Sequence, residues 1–179
     1  MQDDGQGRFA ASVLPHLDAA YNLARWLVRD AHDAQDVVQD ALVRALRHFD
    51  GFRGGDPRPW LLAIVRNAAF AWLGSKRSGE VDFADHEHEL DAVLAMDAPP
   101  SDPESLAIRR AERREIDSAI AALPIAFREA LVLRELEELS YRDIARITDV
   151  PIGTVMSRLS RARHLMAAAL RPDAARSLA

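Results

Sequence analysis

The segment from Ser140 to Leu170, SYRDIARITDVPIGTVMSRLSRARHLMAAAL, restricts the fold more than any other stretch of this chain. Ser140 followed three residues later by Asp143 is a helix start. The hydroxyl can accept a free backbone N–H of the first turn, and the carboxylate suits the positive helix end. Ile144, Ala145 and Ile147 give this helix an apolar side. Asp149-Val150-Pro151 then ends it, because the residue before a proline is pushed out of the helical region. Gly153 and Thr154 can cap a second helix, in which Val155, Leu159, Ala162 and Met166 recur at spacings of four, three and four. At about 100° per residue that spacing forms one stripe, which must be buried. The predicted unit is a helix, a tight turn and a longer helix.

The opposite side of the longer helix falls to Ser157, Ser160, Arg161 and His164, flanked by Arg158 and Arg163, and no acid occurs between Asp149 and Asp173. Short hydroxyls interleaved with arginines suit the major groove of DNA, where arginine bonds two acceptors on guanine and serine fits several base edges or a phosphate. A solvated basic face on an ordinary helical hairpin fits the same pattern.

A chain of 179 residues fits one ordinary domain or two small ones. The net charge of −5 argues against a uniformly basic nucleic-acid binder, but the charge is unevenly spread. Ser78 to Pro103 holds eight acids and no lysine or arginine, whereas Glu104 to Pro172 holds twelve bases against ten acids. Cysteine is absent, which excludes disulfides and cysteine metal sites and fits a reducing compartment. MQDDGQGRF lacks the basic start and apolar core of a signal peptide, and no apolar run reaches membrane-spanning length. The expectation is a cytoplasmic protein without membrane insertion.

Leu14, Leu17, Tyr21, Ala24 and Val28 predict one amphipathic helix from Phe9 to Arg29. A second, from about Asp33, buries Ala34, Val37, Val38, Ala41, Leu42 and Ala45 and turns Asp36, Gln39, Asp40, Val43 and Arg47 outward. That outer face reads as solvated surface, with Val43 leaving room for a partner. In FDGFRGGDPRPW, Phe49 to Trp60, glycines permit sharp turns and Asp56-Pro57 can open a third helix. This helix, to about Leu73, buries Leu61, Ile64, Val65, Ala68 and Leu73 and carries Arg66, Asn67 and Trp72. Aromatic, amide and arginine side chains near such a loop can serve a splayed single strand. Trp60 and Trp72 at helical spacing also fit a plain core role.

Ser78 to Pro103 loses periodicity and ends in APPSDP, which predicts a flexible acidic linker. His86 and His88 among acids could be imagined as metal ligands, but alternating ligands on a tether have no defined geometry, and no metal or cofactor is expected. A fourth helix from Pro103-Glu104 carries Leu106, Ile108, Ile116, Ile120 and Leu123 up to Pro124. Phe127, Leu131, Val132 and Leu136 mark a fifth that leads into the Ser140 unit. The fold class is all-α, with two small helical domains, 1–77 and 104–179, joined by a linker over 78–103.

Tyr21 to Leu73, YNLARWLVRDAHDAQDVVQDALVRALRHFDGFRGGDPRPWLLAIVRNAAFAWL, resembles the first domain of the bacterial RNA polymerase sigma factors of the extracytoplasmic-function (ECF) type. Leu123 to Met166, LPIAFREALVLRELEELSYRDIARITDVPIGTVMSRLSRARHLM, resembles their second. Both patterns in this order, with a linker between, are highly specific.

The resemblance implies a non-catalytic promoter-specific initiation factor whose partners are core RNA polymerase, promoter DNA and an anti-sigma factor. DAQDVVQDALVRA matches the polymerase-clamp contact, which implies Asp36, Gln39, Asp40 and Val43. FDGFRGG and WLLAIVRN match the part that captures a flipped base of the minus-ten element, which implies Phe52, Arg53, Trp60, Arg66 and Asn67. VPIGTVMSRLSRAR matches the minus-thirty-five reader, which implies Thr154, Met156, Ser157, Arg158, Ser160, Arg161 and Arg163. Compared with larger sigma factors, a third domain is lacking, and AFAWLGSKR has few charges before Lys76. A conventional repressor or activator, or a sigma-like decoy that binds a regulator, would use only part of these matches. An enzyme is not expected, because no nucleophile, base and orienter converge in any motif.

Overall fold

A computed structural model describes residues 2–78 and 103–171. The expected linker, apart from its end positions, and the whole Asp85 to Glu89 cluster lie outside the described residues, as do 172–179. The described residues form helices and no strand.

The N-terminal half holds α1 (Gln2–Val13), α2 (Leu17–Val28), α3 (Ala31–His48) and α4 (Pro57–Ser78). The single helix expected from Phe9 to Arg29 is interrupted by a 3₁₀ turn at Leu14–His16. Pro15 explains the break, because it has no N–H for the helical ladder. Asp30 caps α3 by accepting a hydrogen bond from the Asp33 amide at 2.9 Å. Three-and-four spacing turns Leu23 and Leu27 of α2, Val37 and Ala41 of α3, and Leu61, Leu62 and Val65 of α4 into one core.

The C-terminal half holds α5 (Pro103–Ala122), α6 (Ile125–Leu131), α7 (Tyr141–Thr148) and α8 (Ile152–Ala169). Among its described residues, α5 reaches the core at its C-terminal end. Ile120 and Leu123 are buried, whereas Ile108 and Ile116 remain exposed. Helix α6 passes into a π-helical turn, Val132–Leu136, closed by a 3.1 Å bond from the Glu137 amide to the Val132 carbonyl. Leu133, Ile144, Ile147, Val155, Leu159 and Ala162 form the core beneath α7 and α8.

Ser140 starts α7 as the sequence suggests. Its Oγ accepts from the Asp143 amide at 3.1 Å and donates to the Asp143 carboxylate at 2.5 Å. Asp149 ends α7 in the left-handed conformation (φ 53°), and the Val150 amide reaches back to the Ala145 carbonyl at 3.1 Å. That six-residue closure satisfies a free helix-end carbonyl. Pro151, rather than Gly153 or Thr154, occupies the cap of α8.

The two halves lie against each other, with α4 beside α7 and α2 beside α6. The relative placement of the functional surfaces is therefore set by this seam. Within the C-terminal half, Ser140→Ala should lower stability by about 1 kcal/mol through the lost cap. Leu133→Ala, at a fully buried position, should lower it by about 2–5 kcal/mol. Urea denaturation followed by far-UV circular dichroism measures both, and a larger loss for Ser140→Ala would contradict this ranking.

Candidate nucleic-acid interface

The outer face of α3 follows directly from burial of its inner face. With Ala34, Val37, Val38, Ala41 and Ala45 inside, Asp36, Gln39, Asp40 and Val43 are all exposed. Arg44 pairs with Asp40 one turn away at 2.7 Å. Leu46, which the sequence reading passed over, lies one turn beyond Val43 and is 46% exposed against 48% for Val43. Its signal was the i, i+3 spacing from Val43 on an otherwise polar side. The groove between α3 and α4 brings Asp36, Asp40 and Arg44 beside Trp72. Lys76 lies over the Trp72 ring at 4.1 Å and bonds Asp33 at 3.0 Å.

A second surface surrounds the start of α4. Phe52 and Trp60 are half-buried, with ring centroids 5.1 Å apart, and Phe49 stacks on Phe52 at 5.9 Å. Phe9 of α1 meets the edge of Phe49 at 5.3 Å. Arg53 is exposed beside them. Gly54 and Gly55 bend the loop at φ 85° and 94°, a region that L-residues with a Cβ rarely adopt. Asp56 then accepts from the Arg58 amide at 2.9 Å and opens α4. Asn67 is exposed and shares the Trp60 face, seven residues on, whereas Arg66 is turned about 120° away.

Arg66 points into the seam between the halves. Its Nε donates to Oε1 of Glu129 on α6 at 2.5 Å, and its guanidinium lies 4.6 Å from the Phe70 ring centre. Glu129 is 1% exposed. Burial pushes its carboxyl above the ordinary carboxylate range, against the pull of Arg66 and then of Arg158. The neighbouring Arg128 is pulled down to about 10 by burial and then by Arg29. A second buried acid, Glu137, is bonded by Arg58 and by the Asn22 amide, the latter at 3.1 Å.

The third surface is α8. Met156, Ser157, Ser160, Arg161 and Arg163 are exposed, Thr154 is half-buried, and Val155, Leu159 and Ala162 are buried behind them. The Ser157 hydroxyl donates to the Thr154 carbonyl at 2.9 Å. Arg163 is bound to Glu135 through both Nε (3.2 Å) and Nη2 (2.7 Å). Arg158 is half-buried on the opposite flank, with Nη1 4.0 Å from the Glu129 carboxylate. Arg66 and Arg158, implied contacts for two different DNA elements, thus converge on one acid. Sequence reasoning missed Glu129. Its signal was an acid at i−4 from Leu133 and i−3 from Val132, on an apolar stripe.

Residues 13–78 match the sigma-70 region 2 family, and residues 113–166 match sigma-70, region 4. The chain is 33% identical to the RNA polymerase sigma-H factor of Pseudomonas aeruginosa, over 92% of this chain and 86% of that one. It is 38% identical to the ECF RNA polymerase sigma-E factor of Escherichia coli, over 74% of this chain and 71% of that one. Its structure is similar to the sigma factor RpoE of Bartonella quintana, solved in complex with the anti-sigma factor NepR. That match has a TM-score of 0.69 at 29% identity and covers 93% of this chain and 98% of that one. Regions 2 and 4 in this order define a promoter-specific transcription initiation factor. The chain belongs to the ECF sigma factors.

The paired left-handed glycines give a local test. No atom lies within 4 Å of a Cβ added at Gly55, so Gly55→Ala should lower stability by about 1–2 kcal/mol through the backbone alone. Gly51→Ala, also in open space but without a left-handed φ, should stay within about 0.5 kcal/mol. Equal thermal shifts for the two variants would contradict this assignment.

Proposed function

We propose that this sigma factor docks on core RNA polymerase through the outer face of α3, with Asp36, Gln39, Asp40 and Val43 as contacts. The polymerase carries the catalytic chemistry, and this chain supplies positioning. Phe52, Arg53, Trp60, Arg66 and Asn67 serve the minus-ten element, where an aromatic platform holds an unstacked base and the cations hold phosphates. Thr154, Met156, Ser157, Arg158, Ser160, Arg161 and Arg163 serve the minus-thirty-five element. The observation that carries this reading is the pairing of both sigma-70 regions with an α8 whose Ser157, Ser160 and Arg161 stand exposed over a buried stripe. The working domains are 1–77 and 104–179, with 78–103 as the tether. An anti-sigma factor is the proposed regulator, supported by the similarity to RpoE, which was solved with one. Action on core polymerase puts the protein in the cytoplasm; among the described residues no helix is long and apolar enough to cross a membrane.

Run-off transcription with purified core polymerase tests the reading. A sigma factor makes transcripts begin at one defined promoter, and transcripts identical with and without the chain would refute it. Asp36→Arg with Asp40→Arg should retain the helical spectrum, because both positions are exposed, yet should end co-purification with core polymerase through charge conflict. Normal co-purification would remove α3 from the contact.

The reading helix gives a finer prediction. Arg161 lies opposite the buried stripe, so Arg161→Ala should weaken promoter binding by about 1–3 kcal/mol and relax preference at one or two base pairs. Arg163 lies toward the edge, so Arg163→Ala should weaken binding to all sequences alike and reduce the salt dependence by about one counterion. Binding to single-base variants of the minus-thirty-five element at two salt concentrations measures both. The reverse pattern would mean that α8 is rotated in the groove.

A further inference from the structure

The aromatic platform beside the start of α4 reaches further back in the chain than Phe52 and Trp60. These two rings form a corner, with centroids 5.1 Å apart and planes at 41°. Trp60 is carried by the first turn of α4. Phe52 instead sits on a loop, between the 3₁₀ turn Phe49–Gly51 and the left-handed pair Gly54 and Gly55. Phe49 restrains Phe52 twice. Its carbonyl accepts from the Phe52 amide at 2.9 Å, and its ring stacks on the Phe52 ring at 5.9 Å with planes at 19°. The same ring meets Trp60 at 6.2 Å. Behind Phe49 stands Phe9 of α1, edge-on at 5.3 Å and 88°. Val13 is fully buried and anchors the end of α1 in the core, and Phe9 packs partly buried against that core one turn earlier. Edge-to-face and offset-stacked rings attract each other beyond the area they bury, in a preferred geometry. A series of rings thus connects α1 to the corner. Phe9 also precedes residues 13–78, over which the chain matches region 2.

Resting on the minus-ten reading above, we propose that Phe9 is a positioning residue for the captured base. Its edge holds Phe49, and Phe49 holds Phe52 at its angle to Trp60. A base entering the corner stacks on one ring and abuts the other, so its affinity depends on that angle. Without the Phe9 edge, Phe49 can turn away from Phe52, and binding then includes the cost of restoring the corner.

The test uses the chain assembled with core polymerase and the non-template strand of the promoter that run-off transcription defines. Affinity is measured for the intact strand and for strands lacking the base at each minus-ten position in turn. In the unaltered chain one position should show a clear drop, and the ratio of intact to abasic affinity there reports the pocket. Phe9→Ala should weaken binding of the intact strand by roughly two- to tenfold and shrink the ratio by about the same factor. Phe9→Tyr keeps the ring edge and should keep the ratio. Simple loss of folded protein lowers both affinities alike and leaves the ratio where it was. An unchanged ratio in Phe9→Ala therefore overturns the positioning role while leaving the minus-ten reading intact. If the unaltered chain shows no drop at any position, that reading fails and the positioning role falls with it.

A second arm needs neither DNA nor polymerase. A single 4-fluorophenylalanine at position 52 of the free chain reports the surroundings of that ring through its fluorine resonance. Phe9→Ala should shift or broaden the resonance, although Phe49 stands between the two positions. Gln6→Ala, at an exposed position of the same helix, should leave it unmoved. An unmoved resonance in Phe9→Ala would equally overturn the proposal.

Discussion

Glu129 is the point on which the arrangement of this molecule turns. A carboxylate removed from water is tolerated only with a counterion and hydrogen bonds. Here the closest counterion, Arg66, comes from a helix 63 positions earlier in the chain. Moving α4 by even a few ångströms would leave the buried acid with only Arg158, at 4.0 Å. Glu137 imposes the same condition further along the seam, through Arg58 and Asn22. Two such constraints at separate points fix both the distance and the rotation of one half against the other. Apolar packing of α4 on α7 alone would leave sliding cheaper.

The halves themselves are built by a different kind of force. Leu23, Leu27, Leu61, Leu62 and Val65 on one side, and Leu133, Ile144, Val155 and Leu159 on the other, are buried by periodicity that each helix carries locally. Nondirectional burial decides that each half forms; directional charge pairs decide how the two meet. The π-helical turn at Val132–Leu136 links the levels. It fits an extra residue into the turn between Leu131, which packs in the core, and Glu137, which must reach Arg58. Such turns are rare and frequently mark functional positions.

This division explains what could be read from the residues beforehand. Helices α2 to α8 were legible because a three-and-four stripe, a Ser or Asp cap and a proline stop each act within one turn. The outer face of α3 and the exposed side of α8 were legible by subtraction from those stripes. The 3₁₀ break at Pro15 was overlooked because the apolar spacing continues through it, although the missing N–H was visible. The seam left one local trace, the acid Glu129 on an apolar stripe, and none of its pairing. Arg66 with Glu129 and Arg58 with Glu137 are separated by 63 and 79 positions, and nothing in either segment marks the other. The helical spacing allows Arg66 to be an outward-facing cation, while its partner belongs to the other half.

The two arginines that flank the exposed serine face of α8 show why residue type alone does not settle availability. Arg163 holds Glu135 in a two-nitrogen contact, yet that acid is about half exposed, and exposed pairs are worth little. Water can take over Glu135 as a phosphate takes over Arg163, so exchange is nearly free. Arg158 faces Glu129, which water cannot reach while the seam is closed. Drawing Arg158 away to another anion would strip part of the compensation from a buried charge. The burial of the acid, rather than that of the arginine, therefore decides how easily each arginine can exchange its partner.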